Sequence, residues 1–189
     1  MRVIAGTHRG RRLHGPRAHA LRPTSDRVRE ALFSIVGQRL MHCRFLDLYA
    51  GTGAVGIEAI SRGADHVTSV ESDREAVKLL QGNVQLCRID HELAVRSQPV
   101  ERFLRHPEQW DGPYDIVFAD PPYAETSRLS VLFGEPLIAA LFAADAWLIV
   151  EHATKSTVPS MLGSTRLQRQ YHYGDTTLSR YSHTNSDSP

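Results

Sequence analysis

Apolar positions follow two alternating rhythms along this chain. Val28, Ala31, Leu32, Ile35 and Val36 fall at helical spacing, with Thr24 and Ser25 as possible N-caps and Gly37 as a stop, which predicts a helix from Asp26 onward. Beyond it, short apolar runs take turns with helical patterns. The runs predict strands over 45–49, 66–71, 93–97, 115–120 and 146–151. The intervening patterns predict helices over 54–62, stopped by Gly63, over 73–87 and over 100–105, and a helical stretch over 129–144 broken at Gly134 and Pro136. On the helix over 73–87, Ala76, Leu79, Leu80, Val84 and Cys87 share one stripe with a polar intruder, Asn83, best explained by a satisfied structural hydrogen bond near a loop. Strands separated by helices call for parallel pairing through crossover connections. The rhythm then changes: residues 167–173 and 176–181 flank Gly174-Asp175, the pattern of an antiparallel hairpin. Ahead of all this, Val3-Ile4-Ala5-Gly6 and Arg9-Gly10-Arg11-Arg12-Leu13 predict two short strands around a turn, followed by a loop with prolines and histidines through Pro23. The predicted organisation is a basic arm over 1–24, a catalytic-sized α/β domain over 25–182 and a polar tail over 183–189.

The 189 residues suit one domain, and 41% hydrophobic with 23% charged residues suffices for a core without metals or disulfides as staples. No run approaches about 18 apolar residues, and no apolar segment follows the first six residues, so neither a membrane span nor a secretory leader is expected. The expected location is the cytoplasm. Cys43 and Cys87 stand alone and the ten histidines form no HExxH-like pattern, so no metal site is expected. A net charge of +1 hides an asymmetry: residues 1–30 hold eight arginines against Asp26 and Glu30, a local +6. Arginine forks match phosphate geometry, so the arm suits a polyanion, with Arg9, Arg11, Arg12 and Arg22 as the candidate contacts.

Chemistry gathers where predicted strands end. Asp47-Leu48-Tyr49-Ala50-Gly51-Thr52-Gly53 runs off the first strand into a helix, and its glycines let backbone approach a ligand at the carboxyl edge of a sheet. With Gly56 the run formally matches GxGxxG, which keeps a dinucleotide in view. Asp47 favours a cationic ligand instead, since a carboxylate would repel a pyrophosphate. Glu71, followed by Ser72, closes the second strand at the distance where an acidic side chain accepts hydrogen bonds from ribose hydroxyls. Gln98, after the third strand, stands where a polar group would meet an adenine.

Asp120-Pro121-Pro122-Tyr123 ends the fourth strand. Two prolines fix a turn without N–H groups, leaving the Asp120 carboxylate and the Pro121 carbonyl as acceptors for an amino group. An exocyclic base amine is a weak nucleophile because its lone pair is conjugated with the ring. Acceptors on both protons favour a pyramidal nitrogen, Asp120 can take the proton shed, and Tyr123 offers a stacking face.

The loop Asp47-Leu-Tyr-Ala-Gly-Thr-Gly53, Glu71 and Asp120-Pro-Pro-Tyr123 resemble the amino-methyltransferases of nucleic-acid bases. With the opening Arg2-Val-Ile-Ala-Gly6 and the segment Arg22-Pro-Thr-Ser-Asp-Arg27, the chain closely resembles the RsmD family over about residues 1–182. The resemblance implies a Rossmann-like class I S-adenosylmethionine-dependent methyltransferase fold, seven mostly parallel strands with an antiparallel C-terminal hairpin. It implies methyl transfer to guanine N2 at position 966 of 16S ribosomal RNA, in the assembled or assembling 30S subunit; the expected working form is a monomer. By the same resemblance Asp120, Pro121, Pro122 and Tyr123 hold the guanine amine. Asp47, Gly51, Gly53 and Glu71 by that resemblance hold S-adenosylmethionine and its product S-adenosylhomocysteine, and Tyr49, Ala50, Thr52, Ser72, Gln98 and Asp120 complete the candidate cofactor-binding set. Gln98-Pro99 departs from the Asp or Asn followed by Ala that relatives often carry. Three other readings stay open: a DNA amino-methyltransferase acting on adenine N6 or cytosine N4, an NAD-dependent oxidoreductase, and a noncatalytic RNA-binding assembly factor.

Overall fold

The computed structural model describes residues 1–15, 26–122 and 126–183, in two compact units, Met1–Val100 and Glu101–Pro189. The first holds α1 (Asp26–Val36), β1 (Arg44–Leu48), α2 (Ala54–Ser61), β2 (His66–Glu71), α3 (Arg74–Cys87) and β3 (Leu93–Ser97). Its strands lie in the order β3-β2-β1, all parallel, with Asp47 opposite Ser69 and Glu71 opposite Ser97. Each helix forms where the sequence pattern places it. Val28, Leu32, Phe33 and Val36 bury one face of α1, and Gly37, at φ +56°, ends it. Asp73 caps α3 by accepting from the Ala76 amide at 2.8 Å. At the other end Arg88 turns left-handed at φ 57°. Strands β1 and β2 are buried almost throughout, as expected of parallel strands covered on both faces.

The N-terminal strip is not a loose tail. Its two predicted strands reduce to one antiparallel bridge between Arg2 and Arg12, closed by Val3 N–H to Arg11 O, Gly10 N–H to Val3 O and Leu13 N–H to Met1 O. Val3 and Leu13 are buried while Arg2, Arg9, Arg11 and Arg12 are exposed. The strip is fastened to α2 through Glu58, a fully buried carboxylate that accepts from the Ile4 amide (2.7 Å), the Ala5 amide (2.9 Å) and Arg62 Nε (2.7 Å). Arg29, equally buried on α1, lies 3.8 Å from the same carboxylate and donates to Arg2 O at 2.6 Å. Burial pulls the Arg29 pKa down, opposed by Asp26 and Glu58. Further along, Thr7 N–H and His8 N–H bond to Ser61 O and Oγ.

The helix α4 (Val100–Leu104) runs from the last residue of the first unit into the second, which holds β4 (Tyr114–Ala119), α5 (Thr126–Phe133), β5 (Phe142–Ala153), β6 (Met161–Leu162), β7 (Thr165–Tyr173) and β8 (Thr176–His183). The order is β4-β5-β8-β7-β6; β4 and β5 are parallel and the remaining pairs antiparallel. The expected hairpin forms with Gly174 at φ +65° in its turn. Two expectations are corrected. The described residues form eight strands rather than seven, the addition being the two-residue β6. The stretch 129–144 is helical with the expected break at Gly134 and Pro136 as far as Leu141, but its last three residues belong to β5. It divides into α5, a 3-10 turn over Pro136–Leu141 and the start of β5, because Pro136 cannot continue an α-helix and Phe142 is committed to pairing with Tyr114. Asp145, at φ 60°, marks the register shift that this early start requires. Among the described residues, no helix is long and apolar enough to cross a membrane.

Candidate active site

In the first unit the chain leaves β1 through a loop that β2 holds in place. Tyr49 turns at φ +62°, a conformation costly for a non-glycine residue and characteristic of functional loops. Ala50 N–H then reaches Val70 O at 3.0 Å. Gly51, at φ +55°, donates to Glu71 Oε2 at 2.8 Å, while Glu71 Oε1 accepts from the Ser72 and Asp73 amides at 2.8 Å each. One carboxylate therefore splints the ends of β1 and β2 through three amides, which sequence spacing alone does not disclose. A Cβ built on Gly51 meets no heavy atom within 4 Å, so open space lies in front of it. At Gly53 (φ +77°) a Cβ would fall 2.0 Å from Leu80 Cδ1 on α3: this glycine serves packing, whereas Gly51 leaves room.

Asp47 takes a different position from that of an open-loop carboxylate. It is 1% exposed, and its Oδ2 accepts from the Gly56 amide at 3.0 Å, in the first turn of α2. There it satisfies a donor that the helix leaves unpaired and fixes how the glycine loop enters α2. Gly56 admits this approach because it lacks a side chain; its Cβ would stand 2.8 Å from Ser69 Oγ and 3.3 Å from Asp47 Oδ2. Gln98, half-buried, joins the group through its backbone N–H, which donates to Glu71 O at 2.9 Å. The structure thus gathers Asp47, Tyr49, Ala50, Gly51, Thr52, Gly53, Glu71, Ser72 and Gln98 at the carboxyl ends of β1, β2 and β3, where open α/β sheets bind ligands.

Asn83 carries a connection that the residue pattern only hinted at. Its Oδ1 accepts from His14 N–H at 2.7 Å, and its Nδ2 donates to His14 O and Thr52 O, each at 3.0 Å. The polar intruder on α3 is a satisfied structural amide, as read from the sequence, and it ties the strip to the glycine loop.

In the second unit Asp120 follows directly on β4 and is half-buried, Pro121 is buried and Pro122 exposed. Tyr123, like Arg22 of the arm, lies outside the described residues. Of the remaining arginines proposed for a polyanion, Arg9 is exposed on the turn of the strip and Arg12 at its bridge to Arg2, and Arg11, also exposed, donates Nη1 to Leu86 O. Burial, opposed by the Arg11 charge, pushes the Cys87 thiol up in pKa and so favours its protonated form.

Residues 1–182 match the family described as conserved hypothetical protein 95. The Escherichia coli K12 protein ribosomal RNA small subunit methyltransferase D is 35% identical over 175 residues, covering 90% of this chain and 83% of its own length. The solved Escherichia coli structure of yhhF superposes with a TM-score of 0.81 at 32% identity, covering 97% of both chains. An RNA methyltransferase from Salinibacter ruber, solved in complex with S-adenosylhomocysteine, shares the fold at a TM-score of 0.64 and 15% identity, over 89% of this chain and 97% of its own.

Proposed function

The chain belongs to the family described as conserved hypothetical protein 95, the RsmD family of the resemblance above, and from that premise we propose that it methylates guanine N2 in 16S ribosomal RNA, with S-adenosylmethionine as donor. Position 966 follows from the family likeness. The substrate in this reading is the assembled or assembling small subunit in the cytoplasm, and the working form is a monomer. Methylation of ribosomal RNA is the broader activity that the name of the Escherichia coli relative supports.

The observation that carries the reading is the turn after β4. Pro121 and Pro122 have no N–H to offer, so this turn selects for a donor, and Asp120 is held half-buried at its start. On the cofactor side, the space before Gly51 and the acceptor oxygens of Glu71 fit an adenosine with its ribose hydroxyls. Tyr49 to Gly53, Glu71, Ser72 and Gln98 would hold it, and Asp47 would act by fixing the loop from beneath. S-adenosylmethionine supplies a methyl carbon on a cationic sulfur, which departs as a neutral thioether. The chain's own part is to orient the nitrogen. The Asp120 carboxylate and the Pro121 carbonyl accept hydrogen bonds from the two N2 N–H groups, turning the lone pair away from the ring. As N2 gains its fourth bond it becomes cationic, and Asp120 takes the proton it sheds.

The test incubates the protein with labelled methyl donor and separate 16S RNA, 30S particles and DNA, then maps the modified nucleoside. Label on guanine N2 of small-subunit RNA is expected; label on adenine N6 or cytosine N4 of DNA refutes the reading. Asp120→Ala should lower turnover by about 10²- to 10³-fold while leaving RNA binding intact; undiminished turnover refutes the role of Asp120.

A further inference from the structure

Basic charge is concentrated a second time, at the other end of the chain. Residues 154–183 carry Lys155, Arg166, Arg169 and Arg180 against the single carboxylate Asp175, a local +3, while residues 31–153 sum to −7. The segment lies in the second unit and folds around β7. β6 covers only Thr165 and Arg166, so among the described residues the rest of β7 forms the outer edge of the sheet.

That edge is aligned with the amine-binding turn of the same unit. β7 runs in the same direction as β4 and β5, because the β5–β8 and β8–β7 pairings that separate them are both antiparallel. Ala119 pairs with Val150, Val150 with Ser179 and Ser179 with Gln170; the next row is Glu151, Leu178 and Tyr171. Asp120, one residue past Ala119, therefore stands level with Tyr171, three strand spacings away, about 14 Å. Arg169 is exposed, with its guanidinium carbon 5.0 Å from the centre of the Tyr171 ring. His172 is exposed, and Tyr173 half-buried beside the turn. The rim is already rigid: Thr154 Oγ1 bonds to Gly174 O and Thr177 Oγ1, Thr154 N–H bonds to Asp175 O, and His172 Nδ1 meets Thr177 Oγ1 at 2.9 Å. The acidic groups bordering the row are Asp175, in the turn, and Glu151, 8% exposed on β5.

We propose that the outer row of β7, Arg169 with Tyr171 and Tyr173, is a second RNA-binding surface that stacks and neutralises the nucleotides flanking the target base. The proposal rests on the RNA reading above. An arginine lying over a tyrosine offers a cation and a flat π face together, the pairing that single-stranded nucleic acid uses on proteins. Placement level with Asp120 sets this surface where the strand must run once one base has entered the turn.

The test measures binding and methylation of 30S-derived RNA by the full chain, with S-adenosylmethionine affinity and thermal unfolding recorded alongside. Tyr171→Ala should raise the RNA Kd about tenfold and Tyr171→Phe should leave it near the parent value, because the stacking face persists. Arg169→Ala should weaken binding and reduce the slope of log affinity against log salt by about 1. Cofactor affinity and unfolding should be unchanged in Arg169→Ala. If the parent chain methylates RNA and the Arg169→Ala and Tyr171→Ala variants bind it with unchanged affinity and salt slope, the surface is overturned while the function stands. If the parent chain binds no RNA, both fall. Self-association that is lost in Arg169→Ala, with RNA affinity unaltered, also overturns the proposal in favour of a contact between copies.

Discussion

Replacing Glu58 by alanine should destabilise the protein far more than its single charge suggests. Glu58 and Arg29 are both fully buried, and besides Glu58 the Arg29 guanidinium has Asp26, itself 60% exposed, and the Arg2 carbonyl. Truncating Glu58 removes a counter-charge from a buried cation, a change that costs about 3 to 5 kcal/mol. It also strips the acceptor from the Ile4 and Ala5 amides, which are half-buried and so fall toward the low end of about 1 to 3 kcal/mol each. For a chain of this size a combined loss of about 6 kcal/mol lowers Tm by roughly 12 to 24 °C. Thermal and urea unfolding of the parent, Glu58→Ala, Arg29→Met and the double variant would measure it as a double-mutant cycle. The double variant should recover much of the loss, because it no longer buries an uncompensated charge. A Glu58→Ala protein within about 1 kcal/mol of the parent, or a double variant that merely adds the two losses, would refute the account of this cluster.

Three other outcomes follow from the geometry. Gly51→Ala should weaken cofactor affinity, since its Cβ enters open space, with the modest loss of Tm that its φ of +55° imposes, whereas Gly53→Ala should lower Tm more, since strain at φ +77° is joined by collision with Leu80; calorimetry with S-adenosylmethionine and thermal scans on both variants would separate them. Replacing Arg9, Arg11 and Arg12 together by alanine should weaken RNA binding and flatten its salt dependence with cofactor affinity nearly intact; RNA binding equal to the parent at every salt concentration would make the strip purely structural. His152 is buried and neutral, its Nδ1–H donating to Ala153 O and its Nε2 accepting from Ser179, and burial depresses its pKa below 6.5. The unfolded chain then binds the extra proton first, so this stability is complete above about pH 6.5 and is lost as pH falls below it. Urea unfolding between pH 7.5 and 5.5 should show a shallower decline in His152→Gln than in the parent; parallel declines would refute the assignment.

The sequence was most legible where local preference and tertiary demand agree. Strands β2 and β3 fall where their apolar runs begin and end, and α3 opens at its Asp73 cap. Legibility failed where a partner far along the chain decides. Phe142, Ala143 and Ala144 read as helix on propensity, but pairing of β5 with β4 extends the strand back to Phe142. A two-residue strand such as β6 has too little pattern to register. The candidate site was legible in its parts, the glycine loop, Glu71 and the proline turn, and illegible in its supports. Nothing in the spacing says that Asp47 serves an amide of α2, or that Glu71 grips Gly51. Glu58 did leave a trace. A lone carboxylate within the otherwise apolar and small residues of Ala54–Ser61 has to be paired if the helix is buried, as has an arginine in register with Val28, Leu32 and Val36.

The N-terminal strip is buttoned at both ends, to Glu58 through Ile4 and Ala5 and to Asn83 through His14. Its length is thereby a fixed quantity. Exposed turns ordinarily absorb an added or deleted residue, yet here one residue gained or lost around Arg9 and Gly10 would force the chain to let go of one fastening to keep the other. Because Asn83 also grips Thr52, a misfit in that remote turn would be felt at the mouth of the glycine loop. Grafting this strip onto another scaffold would therefore mean carrying α2 and α3 along with it.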